Sequence, residues 1–119
     1  MTPQAHDGIR GATLQDFKQY GNSFYIWSAK HQRGEDLVFW RPSGKGYTQC
    51  SDDAGRYTAR QAYNVTRGCT NSTGGGLLMV DRKIPIREYI KYGEKWGASF
   101  AIPVRLLPKM FKIRKVAKQ

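Results

Sequence analysis

The sequence predicts an α+β domain: a small antiparallel sheet covered by two or three short helices and continued by a basic C-terminal strand or arm. Three observations point there. Phe24 to Ser28 and Leu37 to Arg41 are short runs rich in aromatic and β-branched residues, separated by a polar link that contains Gly34, which is the signature of antiparallel strands. Two Thr-x-x-Asp/Gln patterns stand ahead of helical apolar spacing, at Thr13 and at Thr58, and mark helix starts. The chain is 39% apolar and 13% aromatic over 119 residues, enough for one core without metal or disulfide staples.

In chain order, residues 1–7 read as a frayed end. Thr13 and Asp16 frame a helix over 14–20 in which Leu14, Phe17 and Tyr20 share a face and Gly21 supplies the stop. Strands over 24–28 and 37–41 then form a hairpin joined by residues 30–36. Pro42 to Gly46 is a turn, since proline presets one dihedral and glycine supplies the unusual ones, and a short strand over 46–49 follows. Thr58 and Gln61 form the second capping box, opening a helix over 59–67 supported by Ala59, Ala62, Tyr63 and Val65 and ended by Gly68.

Residues 69–76 contain Gly74, Gly75 and Gly76 in succession, a stretch whose backbone entropy is costly to order, so it reads as a mobile loop. A buried strand is expected at 77–80. Pro85 opens a helix over 85–92 that turns Ile86, Tyr89 and Ile90 inward and Arg87 and Lys91 outward until Gly93 ends it. From 99 to 119 two periods compete. Residues 111–115 alternate as a strand would, whereas Met110, Ile113 and Ala117 share a helical face. With no internal repeat, residues 1–119 read as a single domain, with a compact core over 8–104 and a basic segment over 105–119.

Charge carries the functional reading. Twenty Lys and Arg oppose nine Asp and Glu, a formal net of +11. Residues 1–60 hold eight basic and six acidic side chains, and residues 61–119 hold twelve and three. Six of those cations and no anion fall in residues 105–119. Like charges repel, so an excess of this size points to a polyanionic partner, nucleic acid first. Phosphate contacts are assigned to Arg82, Lys83, Arg87, Lys91, Arg105, Lys109, Lys112, Arg114 and Lys115. Tyr89, Tyr92 and Trp96 are interleaved with them and offer either stacking faces or core. A second cluster, Trp40, Arg41, Tyr47, Arg56 and Tyr57, could form an anion pocket, because Arg stacks on aromatic rings and forks onto phosphate. Against that, Trp27 and Trp40 fall in strands and Arg56 could pair with Asp52 or Asp53.

Other classes are disfavoured. Cys50, Cys69, His6 and His31 cannot make the usual four-ligand zinc spacings, and no metal or cofactor is expected. Two cysteines are too few for a disulfide framework and are expected as thiols. Asn64-Val65-Thr66 and Asn71-Ser72-Thr73 match the glycosylation acceptor pattern but read as turn and helix-end residues. No RNP-like sequence and no helix-turn-helix is present, so sequence-specific readout is not expected. His31 with Lys30, and Asp52 or Asp53 as partner, are the only acid–base candidates, and nothing in their positions brings them together. The glycine triplet precedes a strand rather than opening a helix, unlike a phosphate loop. The protein reads as non-enzymatic. Without an apolar run of eighteen residues or an apolar stretch near Met1, it is expected to be soluble and cytoplasmic, with no membrane partner.

The block Phe24-Tyr-Ile-Trp-Ser-Ala-Lys30, Val38-Phe-Trp-Arg-Pro42, Gly46-Tyr-Thr48 and Ala54-Gly-Arg-Tyr-Thr58 resembles a group of small bacteriophage- and prophage-encoded proteins. In that group a tryptophan-containing strand precedes a Trp-Arg-Pro or Trp-Trp-Pro segment and an Ala-Gly-Arg-Tyr turn. The resemblance covers about a third of the chain and leaves out the basic second half. It implies a phage accessory protein acting in the bacterial cytoplasm. As an alternative to nucleic-acid binding, it implies an inhibitor or modulator docking on a bacterial protein or nucleoprotein complex, such as a defence nuclease or RNA polymerase.

Overall fold

A computed structural model of the protein describes residues 9–34, 36–50, 52–67, 74–78, 86–96 and 99–105, with the backbone alone for Ile9, Arg10, Ile86, Tyr92, Lys95 and Trp96. The described elements are β1 (Ile9–Ala12), α1 (Leu14–Lys18), β2 (Phe24–Ser28), β3 (Phe39–Trp40), β4 (Tyr47–Thr48), α2 (Ala59–Thr66), β5 (Gly75–Leu77), α3 (Ile86–Trp96) and β6 (Ser99–Pro103). This is the α+β class that the sequence predicts. The strands form one sheet in the order β1-β5-β6-β2-β3-β4.

The middle of the sheet explains its layering. Every residue of β2 and β6 is buried, and the two strands pair antiparallel from Phe24 against Pro103 to Ser28 against Ser99. Because side chains alternate along a strand, each strand feeds two cores. Phe24, Ile26 and Ala101 pack with Phe17 of α1 and Ala59 and Ala62 of α2. Tyr25, Trp27, Phe100 and Ile102 pack with Tyr89 of α3, and the Trp27 and Phe100 rings stack with centroids 5.7 Å apart. Helices α1 and α2 therefore cover one face and α3 the other.

Both capping boxes form. Thr13 exchanges side-chain and backbone hydrogen bonds with Asp16, and Thr58 does so with Gln61. Gly21 sits at φ +101 just past α1, as a helix stop should. On the inner face of α2, buried Thr66 donates to the Ala62 carbonyl and accepts from the Gly76 N–H, each at 2.9 Å, tying the helix to β5.

Several expectations need correction. The sheet is mixed, because β5 and β6 run parallel, Leu77 beside Ala101. A parallel pair needs a crossover connection, usually a helix, and α3 lies between those strands in the chain. The glycine stretch is not a mobile loop where it is described: Gly74, Gly75 and Gly76 are buried and the last two are strand, while 69–73 lie outside the described residues. Residues 9–12 form an edge strand that the sequence reading did not anticipate. Residues 99–103, at the start of the stretch where the strand and helix periods compete, are an interior strand. Gly93 does not end its helix, which continues to Trp96. The strands expected over 37–41 and 46–49 shorten to two residues each. The basic segment beyond Arg105, Cys69 and residues 79–85 lie outside the described residues.

Candidate polyanion-binding surface

Charge on this fold is sorted by exposure. All eleven Lys and Arg side chains that are described are exposed, whereas of six described carboxylates only Asp52 and Glu94 are; Asp16, Asp36, Asp53 and Glu88 are half-buried. Asp16 accepts from the Thr13 N–H at 2.8 Å in its capping box, and Glu88 stands 3.5 Å from Lys91 one turn along α3. The outward electrostatic face is accordingly cationic.

Of the residues assigned to phosphate contact, Arg87, Lys91 and Arg105 are described and exposed. They are not an unbroken basic ridge: Lys91 faces Glu88, and the Arg105 guanidinium reaches the Gln19 carbonyl at the end of α1 at 3.4 Å. Arg82, Lys83, Lys109, Lys112, Arg114 and Lys115 lie outside the described residues, as do the side chains of Tyr92 and Trp96. Tyr89 is 1% exposed and belongs to the core, so it offers no stacking face.

Four of the five residues of the second cluster, Trp40, Arg41, Tyr47 and Tyr57, come together, and Arg56 does not join them. Trp40 is half-buried at the end of β3 and makes edge-to-face contacts with Tyr47 and Tyr57. Tyr57 anchors the following turn: its hydroxyl donates to the Arg41 carbonyl and accepts from the Gly44 N–H at 3.0 Å. The turn holds Ser43 at φ 57 and Gly44 and Gly46 at positive φ, a conformation that glycine adopts freely and serine does not. Arg41 folds back so that its Nε donates to the Tyr47 carbonyl at 3.2 Å. The Arg56 guanidinium lies 4.6 Å over the Tyr25 ring, with Nη1 donating to the Ala54 carbonyl at 2.9 Å.

Between this turn and α2 lies a concavity of about 330 Å³. Trp40, Tyr57 and Val65 give it an apolar lining, Ser43 and Gly44 form one lip, and Gln61 and Asn64 form the other. Arg60 and Asn64, one turn apart on α2, are exposed, as is Arg67 just past its end, whose guanidinium lies 5.6 Å from the centre of the Tyr63 ring. Residues 37–49 and 54–67, the segments from which all the lining residues come, contain five Arg and Lys and no carboxylate. Dividing the chain into halves hid this, because the acids of the first half lie outside these two segments.

Beyond Trp40 the aromatic surface continues. Tyr47 is the large apolar side chain that stands exposed among the described residues, at 38%, and the His31 ring stacks on it at 4.1 Å. His31 Nδ1 shares a 2.8 Å hydrogen bond with the Ser28 hydroxyl. No carboxylate contact accompanies that pair among the described hydrogen bonds, and no group of three His, Cys, Asp or Glu suited to a metal ion occurs among the described residues. No helix among them is long and apolar enough to cross a membrane. Compared with known proteins, the chain matches no family model, no curated protein and no solved structure.

Proposed function

We propose that this is a non-enzymatic binding protein whose exposed cations contact nucleic acid in the cytoplasm of a bacterial host. The observation that carries the reading is the sorting of charge: every described Lys and Arg is exposed while four of six described carboxylates are half-buried. Solubility alone would not select that arrangement, since added acidic groups serve it better. A polyanion would, because each neutralised phosphate releases counterions. The test is fluorescence anisotropy of labelled DNA and RNA with the purified protein at about 50 and 200 mM salt, between which six to ten phosphate contacts lose roughly a thousandfold or more in affinity. Binding that is absent at both salt concentrations removes the reading.

One observation favours a second reading, a phage-encoded inhibitor of a bacterial protein or nucleoprotein complex. Trp40, Tyr47 and Arg41 are neighbours on the surface, and Trp, Tyr and Arg are the residue types that dominate protein interfaces. That reading expects Tyr47→Ala or Arg41→Ala to abolish capture of a host protein while distant charge changes leave it intact.

A further inference from the structure

We propose that the groove between α2 and the 42–46 turn is a base-binding site for single-stranded nucleic acid, holding one nucleobase against Trp40 while Arg41, Lys45 and Arg60 engage the flanking phosphates. This rests on the nucleic-acid reading above and adds to it a place, a strandedness and a set of residues. None of Arg41, Lys45 and Arg60 is among the residues to which the sequence assigns phosphate contacts.

Size and lining select a planar, partly apolar group. About 330 Å³ is at the small end of ligand sites, which run from roughly 300 to 1,000 Å³. It admits a base and excludes a helix. The lining is aromatic and apolar at Trp40, Tyr57 and Val65, with amides only at the α2 lip, and that combination grips an aromatic heterocycle by its faces and reads its edge. At that lip, Gln61 already accepts the Thr58 N–H with Oε1 at 2.9 Å, which leaves its amide Nε2 as the donor side. Asn64 is exposed beside it.

The rims select the phosphate. Arg41 and Lys45 flank the turn, and Arg60 stands on the first turn of α2, one turn before Asn64; all are exposed. No carboxylate occurs in either segment that forms the groove, which lowers the repulsion a phosphodiester meets there. Tyr47, exposed next to Trp40 and backed by His31, supplies a second face for the neighbouring base, as stacking platforms in single-strand binders do. A duplex cannot use this site, because its bases are stacked inward and only unpaired bases can be splayed onto side chains.

The experiment uses the full chain with a labelled 12-nucleotide oligo-dT, the same length of oligo-U, and a blunt duplex hairpin. The single strands are expected to bind at least tenfold tighter than the duplex. Tyr47→Ala and Arg60→Glu, both at exposed positions, are each expected to weaken single-strand binding by about tenfold, the scale of one stacked base, while Lys18→Glu on α1 changes it by about twofold or less. A 5-iodouracil oligonucleotide, photocrosslinked to the unmutated protein and mapped by mass spectrometry, is expected to label Trp40, Tyr47 or Tyr57. Equal binding of duplex, or crosslinks confined to residues 105–119 with both variants unchanged, overturns the groove and leaves nucleic-acid binding standing. No binding of any oligonucleotide at low salt overturns both.

Discussion

The Tyr57 hydroxyl holds one lip of the groove in place, donating to the Arg41 carbonyl and accepting from the Gly44 N–H. Its ring meanwhile is 93% covered, packed with Phe24 and Ala59 under α2. Replacing Tyr57 by Phe keeps the packing and removes only the oxygen. Two hydrogen bonds are then lost, each worth about 0.5–1.5 kcal/mol net; the Gly44 N–H keeps its 3.2 Å bond to the Arg41 carbonyl, but the turn that holds Ser43 in the left-handed region loses its tether. Tyr57→Phe is therefore expected to lower unfolding stability by about 1–3 kcal/mol with an unchanged urea m-value, and to weaken single-strand binding although no charge is altered. Urea titration followed by near-UV circular dichroism checks the first part. A stability change below about 0.5 kcal/mol, the level of an inert surface substitution, would mean that the turn does not depend on this hydroxyl.

At the level of elements, Gly93 shows how packing overrides a local signal. A glycine after an amphipathic run is a sound stop signal, yet α3 passes through it to Trp96. A Cβ at Gly93 would lie 2.5 Å from both the Ala29 Cβ and the Trp27 Cη2. Glycine is there because the helix backbone comes down directly onto the sheet and the 3₁₀ turn over Ala29–His31. Gly93→Ala gains about 1 kcal/mol of helix propensity, but the clash is with an atom that has no rotamer to change, and overpacking costs about 1–3 kcal/mol or more. The net expected is a loss of up to about 2 kcal/mol or more, whereas at a true helix stop no such clash would oppose the substitution; thermal unfolding decides. The same physics explains β5. A Cβ at Gly75 would lie 2.8 Å from the Phe17 ring, so the triplet that looks like a loop is a strand kept narrow for a phenylalanine. Elements that carry a strong local signal, such as both capping boxes and the aromatic 24–28 strand, were legible in the sequence. Elements fixed by distant partners were not: β1 is Ile-Arg-Gly-Ala with no periodicity, and it is a strand because β5 lies beside it.

Over the whole molecule, the sign of the charge was legible and its placement only in part. Net charge needs no geometry, but the groove joins residues 43 and 44 to residues 61 and 64, with Arg41, Lys45 and Arg60 next to that lining in the chain, and no tally along the chain displays that. The chain carries a net charge of +11. At about 10 mM salt the screening length is roughly 30 Å, so the excess positive charge repels itself across the whole molecule; at about 150 mM it falls to roughly 8 Å and only neighbouring charges interact. Such repulsion destabilises the compact state more than the expanded one. Raising salt across that range is therefore expected to raise the melting temperature by about 4 °C or more, the equivalent of about 1 kcal/mol in a small domain. A short inorganic polyphosphate at low salt should raise it further, because a polyanion that prefers the folded charge array stabilises it by mass action, and this second increment should vanish at about 500 mM salt, where exposed charges no longer act together. Arg60→Glu is expected to reduce the polyphosphate increment and, by removing repulsion, to raise the low-salt melting temperature of the protein alone. These opposite signs in one variant distinguish a binding surface from a general excess of charge. A melting temperature that falls with salt, or a polyphosphate increment that survives at 500 mM, would show that the exposed cations do not act as a common field.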